Sequence, residues 1–185
     1  MAEESNERPA PAKGAKDAKK KLTISELVWS AGGLGFLPGP TGTYGTAAAI
    51  PVYFLLLWAG WPVYIAATVL LFFYGWRLSA MADAYYQSHD DKRLVIDEVV
   101  GYLATMMLAP DFDFLPFAPL WGFAWFRLFD ILKPGPIGRI DKMTDSLSVM
   151  LDDVAAGLLA CAAMWLTAAV GAVIRSPFLP ELFSR

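Results

Sequence analysis

The sequence holds one cysteine and one histidine among 185 residues. A lone Cys161 excludes an internal disulfide, and its apolar neighbours make it a packing residue. It is followed by AAMWLT, so the Cys-x5-Arg loop of thiol-based phosphoryl transfer is absent. A lone His89, set in the polar run QSHDDKR, reads as a solvated loop residue and excludes any mechanism needing two histidines in one chain. The glycine-rich stretch from Gly32 to Thr46 lacks a Gly-Lys-Thr ending, which excludes a nucleotide P-loop. No apolar core with a small-residue cleavage site directly follows the lysines of the first 21 residues, so no secretory signal is expected there.

Apolar bulk is what the chain has in excess. Hydrophobic residues make up 56% of it and the mean hydropathy is +0.44, which points to a membrane protein. Five apolar segments follow one another: Ala47 to Trp58, Trp61 to Leu78, Val99 to Ala109, Phe117 to Leu132 and Val154 to Ile174. Only the last, and nearly the second, approaches the roughly 20 residues that a helix needs to cross a bilayer. The expected fold is all-α: a membrane-embedded helical bundle of short and full-length helices in one domain over residues 22–178. Residues 1–21, rich in Ala, Pro, Glu and Lys, are expected to form a disordered tail, and residues 179–185 a C-terminal tail. LTISELVW, from Leu22 to Trp29, reads as a short amphipathic helix at the interface, anchored by Trp29.

Polar motifs punctuate this background. FRLFDILKPGP, from Phe126 to Pro136, ends an apolar segment with Arg127, Asp130 and Lys133 three residues apart on one helical face, and Pro134 and Pro136 then stop the helix. Taken alone, this reads as an Arg127–Asp130 pair with Lys133 snorkelling outward. Gly42, Thr43, Gly45 and Thr46 read as a turn opening a helix, which offers N–H and hydroxyl donors to an anion; the plainer alternative is a helix start capped by Thr46.

If successive segments alternate in direction, one membrane face collects Gly42 to Thr46, Asp97, Glu98, Arg127 to Lys133, Arg139, Asp141, Asp152 and Asp153. The opposite loops, AGWP around Gly60 and PDFDFLP around Asp111, carry no Lys or Arg. All but Arg175 and Arg185 of the 15 basic residues fall on the motif face, Lys19, Lys20 and Lys21 included. The positive-inside rule makes that face cytoplasmic.

Asp97, Glu98, Asp130, Asp141, Asp152 and Asp153 then converge on one end of the bundle. Crowded carboxylates stay ionised only beside cations; Arg127, Lys133 and Arg139 supply some, and an oxygen-rich cluster also suits Mg²⁺. Capping is the alternative, since Asp97, Glu98, Asp152 and Asp153 each read as lying at a helix N-terminus.

GTYGTAAAIP (Gly42 to Pro51), DEVVGYLATMMLAP (Asp97 to Pro110), FRLFDILKPGPIGRIDK (Phe126 to Lys142) and MLDDVAAGLLA (Met150 to Ala160) together resemble the signature blocks of the phosphatidylglycerophosphatase A family, in the family's order. Thr41 stands where the family pattern has proline. The resemblance implies a Mg²⁺-dependent phosphatase of the bacterial cytoplasmic membrane that converts phosphatidylglycerophosphate to phosphatidylglycerol. On that reading one or two Mg²⁺ ions are held by carboxylates drawn from Asp97, Glu98, Asp130, Asp152 and Asp153. Arg127, Lys133 and Arg139 bind phosphate oxygens, Gly42 to Thr46 cradle phosphate, and Asp141 is a ligand or a general base. The partners implied are a phospholipid and the membrane, with no nucleic acid.

Three alternatives stand beside it. DFDF at Asp111 looks like an aspartyl-nucleophile motif, but Leu115 follows it and parity puts it on the wrong face. A CDP-alcohol phosphotransferase needs glycine after its first aspartate, where Asp130 is followed by Ile131. A non-catalytic carrier would space charges along its segments, yet Val154 to Ile174 has none.

Overall fold

The computed structural model describes residues 22–110, 115 and 117–175. Both expected tails, the Lys19 to Lys21 run, Asp111 with its DFDF motif, and Arg185 lie outside the described residues. The described residues are all-helical, as expected: α1 (Ile24–Trp29), α2 (Thr41–Ala59), α3 (Trp61–Tyr86), α4 (Ile96–Met107), α5 (Ala118–Leu132), α6 (Ile137–Ile140) and α7 (Ser146–Arg175).

Three of these, α2, α3 and α7, are long and apolar enough to cross a membrane. They exceed the expected spans because polar residues extend the apolar runs: α3 continues through Arg77 and Asp83, and α7 begins eight residues before Val154. Large apolar side chains such as Leu55, Leu70, Phe73, Leu166 and Val173 are exposed on their outer faces, as a lipid-facing surface requires. α4 and α5, of 12 and 15 residues, rise only about 18 and 22 Å. That falls short of the roughly 30 Å hydrocarbon core.

The short α4 is the centre of the bundle. It packs against α2, α3, α5 and α7, and all but Glu98, Ala104 and Met107 of its residues are buried. α3 and α5 run antiparallel to it. The buried Tyr64 hydroxyl donates to the Leu103 carbonyl at 2.6 Å, and Tyr102 donates to the Pro119 carbonyl at 3.0 Å, so these phenols enter the core with partners. α7 runs parallel to α4 and crosses it closely at two glycines. A methyl on Gly157 would overlap the Gly101 carbonyl, and one on Gly101 would press on Phe126 and the Asp153 carbonyl.

Three local readings need correction. Trp29 is no interfacial anchor: it is 2% exposed and packs edge-on against Tyr86, while α1 is closed by a capping box between Thr23 and Glu26. Gly42, Thr43, Gly45 and Thr46 form no loop, because α2 starts at Thr41, directly after Pro40; Thr46 is therefore not a cap, and its hydroxyl donates to the Gly42 carbonyl one turn back. Asp152 and Asp153 lie in the second turn of α7. The capping carboxylate there is Asp145, whose Oδ1 accepts from the Leu147 and Ser148 N–H groups.

Candidate functional site

The start of α4, the end of α5, the second turn of α7 and the loop before α4 meet at one end of the bundle. They enclose a pocket of about 60 Å³ lined by Asp90, Asp97, Glu98, Asp130, Lys133, Val149, Asp152 and Asp153. The close α4–α7 crossing explains the convergence, since Gly101 and Gly157 let the two helices bring their acidic turns together.

The acids divide by partner. Asp130 pairs with Arg127 at 2.5 Å, an i,i+3 contact with both side chains mostly buried. Asp152 accepts the Lys133 ammonium on Oδ2 at 2.5 Å and the Asp153 N–H on Oδ1 at 3.0 Å. Asp141, exposed at the rim, pairs with the same ammonium. Lys133 is thus drawn inward between two carboxylates rather than snorkelling outward, from a left-handed backbone position (φ 44°) at the end of α5. Burial opposes its charge, but the Asp141 and Asp152 carboxylates prevail and hold its pKa above the usual lysine value.

Among the described residues no lysine or arginine forms an ion pair with Asp97, Glu98 or Asp153; Arg127 acts on Glu98 as a neighbouring charge but pairs with Asp130. One carboxylate oxygen from each lies within 4.8 Å of the others. Asp97 and Asp153 are 5% and 4% exposed, and the buried Glu98 Oε2 and Asp153 Oδ2 accept no hydrogen bond. Burial raises the proton affinity of Asp97 and Glu98, and neighbouring carboxylates raise it further: Glu98 acting on Asp97, and Asp153 and Asp130 acting on Glu98. Buried acceptors without a donor are costly unless a proton or a cation completes them. Three hard oxygens at this spacing suit a divalent cation, so the residues present fit a metal ion.

The other expected residues lie around this core. Gly42 backs the site: a methyl there would collide with Glu98 Oε1 and Arg127 Nη1. Gly45 gives close approach to Val95, Thr46 is turned into its own helix, Thr43 is half-buried on α2, and Arg139 is exposed on α6; none of them lines the pocket.

Asp90 is the pocket residue that sequence reasoning missed. It lies in the His89 loop with a left-handed backbone (φ 52°), a conformation that hydropathy and helical spacing cannot signal. Asp83 holds it there. Asp83 Oδ1 accepts the Asp90 N–H at 3.2 Å, while Oδ2 lies 3.2 Å from His89 Nδ1 and accepts the Ser146 hydroxyl at 3.0 Å.

The family model for Phosphatidylglycerophosphatase A matches residues 27–168, which include every pocket residue. A Bacteroides thetaiotaomicron protein named "Putative phosphatidylinositol-3-phosphatase" is 32% identical over 76% of this chain and 91% of its own length. Phosphatidylglycerophosphatase A of Escherichia coli is 31% identical over 80% of this chain and 87% of its own. The Haemophilus influenzae protein of the same name is 35% identical over 69% and 78%. No solved structure matches. With the family's model spanning the bundle and the acidic pocket at its end, the chain belongs to the phosphatidylglycerophosphatase A family.

Proposed function

We propose that this chain hydrolyses the terminal phosphomonoester of phosphatidylglycerophosphate, releasing phosphatidylglycerol and inorganic phosphate, with Mg²⁺ as cofactor. The observation that carries the reading is the trio Asp97, Glu98 and Asp153, with two buried carboxylate oxygens that lack a donor among the described residues, in a chain of this family. Bound Mg²⁺ would polarise the phosphoryl group and offset the charge that develops on it.

The protein's own groups have separable tasks. Asp97, Glu98 and Asp153 hold the ion. Asp130 fixes the Arg127 guanidinium, whose Nε has no hydrogen-bond partner and which brings a second positive charge beside Glu98. Lys133 uses two of its three ammonium donors on Asp141 and Asp152, leaving one for a phosphate oxygen. In the reaction the oxygen of water forms the new bond to phosphorus. The phosphorus–oxygen bond to the glycerol breaks, and the proton lost by the water ends on the departing glycerol oxygen. The acyl chains stay in the bilayer beside the lipid-facing helices, in the cytoplasmic leaflet of the bacterial inner membrane, because the pocket lies at the lysine- and arginine-rich end of the bundle.

The test is phosphate release from phosphatidylglycerophosphate by the purified protein, with Mg²⁺ and with EDTA, beside an arm supplied with phosphatidylinositol 3-phosphate. Mg²⁺-dependent release from the first substrate is expected. Release from the inositol lipid alone would overturn the substrate assignment, and undiminished release in EDTA would overturn the cofactor.

A further inference from the structure

We propose that the pocket takes a single divalent cation, on Asp97, Glu98 and Asp153, and that the Lys133 ammonium fills the place where a two-cation site would hold its second ion. The inference deepens the function proposed above and rests on it for the identity of the ion.

Two-cation phosphoryl-transfer sites place their ions roughly 3.5 to 4 Å apart and share carboxylates between them. Here five of the carboxylates fall into two groups, with Asp130 and the loop residue Asp90 outside both. The inner trio forms no ion pair among the described residues, Arg127 acting on Glu98 only as a neighbouring charge, and Glu98 Oε2 and Asp153 Oδ2 remain buried acceptors without a donor. The outer pair, Asp141 and Asp152, flanks one ammonium, and both Asp152 oxygens are already hydrogen-bonded: Oδ2 accepts Lys133 at 2.5 Å and Oδ1 accepts the Asp153 N–H at 3.0 Å. Asp130, the remaining acid of the expected ligand set, is engaged by Arg127.

A second ion would have to displace Lys133 from Asp152, leaving that ammonium beside a divalent charge in a pocket of about 60 Å³. Lys133 is also held in place. It sits at the C-cap of α5 with φ 44°, its N–H donates to the Phe129 carbonyl, and Pro134 follows, so its stem enters the pocket from a fixed point. A lysine in this position supplies one positive charge and a hydrogen-bond donor without dissociating. The outer half of the site would therefore be filled without a second divalent ion.

The test counts bound Mn²⁺, a paramagnetic stand-in for Mg²⁺, on the full-length protein in detergent, by titration calorimetry and electron paramagnetic resonance. One ion per chain is expected for the wild type, two for Lys133→Met, and one for Lys133→Arg, which restores the cation. Adding Asp141→Asn to Lys133→Met should return the count to one, and Asp97→Asn alone should weaken the wild-type ion at least tenfold. Two ions on the wild type, no ion on it, one ion on folded Lys133→Met, or an undisturbed ion in Asp97→Asn would each overturn the proposal. Should Lys133→Met fail to fold, Lys133→Gln takes its place under the same expectations. The count needs no substrate, so failure to hydrolyse phosphatidylglycerophosphate would reject the proposed activity while leaving this pattern to stand or fall separately.

Discussion

At the scale of the residue, the six acids of the motif blocks differ in what neutralises them, and that difference orders their expected behaviour. Asp153→Asn removes a buried carboxylate oxygen with no donor, so the metal-free protein should melt no lower than wild type in EDTA, while turnover falls at least 100-fold. Asp130→Asn does the reverse to stability, because it strands the Arg127 charge in a mostly buried position, and a loss of roughly 3 kcal/mol is expected. Melting temperatures in EDTA beside Mg²⁺-dependent phosphate release separate the two, and equal losses of stability would contradict the division. pH acts through the same groups. Asp97 and Glu98 bind protons more tightly folded than unfolded, so over the pH range between their unfolded and folded pKa values the native state carries more protons. Stability of the metal-free protein should therefore be greatest at low pH and decline as pH rises through the elevated folded pKa values. Mg²⁺ should offset the decline, because it binds the ionised forms; a melting temperature in EDTA that rises from pH 5 to pH 8 would contradict this.

At the scale of the element, the two glycines at the α4–α7 crossing set how closely the acidic turns approach. Gly157→Ala would push its methyl into the Gly101 carbonyl and part the helices, so both the melting temperature and Mn²⁺ affinity should fall, the latter about tenfold or more. The loop before α4 invites a milder test. Asp83→Ala frees the Asp90 N–H, the Ser146 hydroxyl and His89 together, and it should lower turnover more than it lowers melting temperature. The sequence made the acidic blocks legible because aspartates bordering apolar helices are costly and conspicuous. Its spacing gave the Arg127–Asp130 pair, three residues apart on one helix, but it could not sort Asp152 from Asp153, since Lys133, the partner of Asp152, comes from a distant part of the chain. Helix starts were the weakest reading. A run of glycines and threonines looks like a turn, yet Gly42 and Gly45 sit inside α2 because Glu98, Arg127 and Val95 approach too closely for a side chain. Likewise Asp152 and Asp153 looked like caps only because the polar first turns of α7, with Asp145 as their cap, do not register as apolar.

At the scale of the molecule, hydropathy revealed a membrane bundle, and alternation of segments collected the polar motifs at one end even where the segments were too short to cross. That logic survives the observed lengths: α4 returns as α5, so the pair enters and leaves on one side whether or not it traverses the bilayer. Crossings by α2, α3 and α7, the three helices long and apolar enough for it, would put the α2–α3 turn on the face opposite the pocket. The charge distribution agrees, since Lys92, Arg93, Lys133, Arg139 and Lys142 all lie in or beside the pocket's loops, whereas the turn at Gly60 is Ala-Gly-Trp-Pro. α2, with 19 residues, rises about 28 Å, close to the hydrocarbon thickness, so its two ends should lie in different aqueous phases. In a Cys161→Ala background, His89→Cys and Trp58→Cys provide one exposed probe near each end. In intact cells a membrane-impermeant maleimide should label position 58 and spare position 89, which reacts once the membrane is opened. Labelling of both from the same side would contradict the odd number of crossings, and labelling of position 89 alone would turn the whole bundle over and place the pocket outside the cytoplasm.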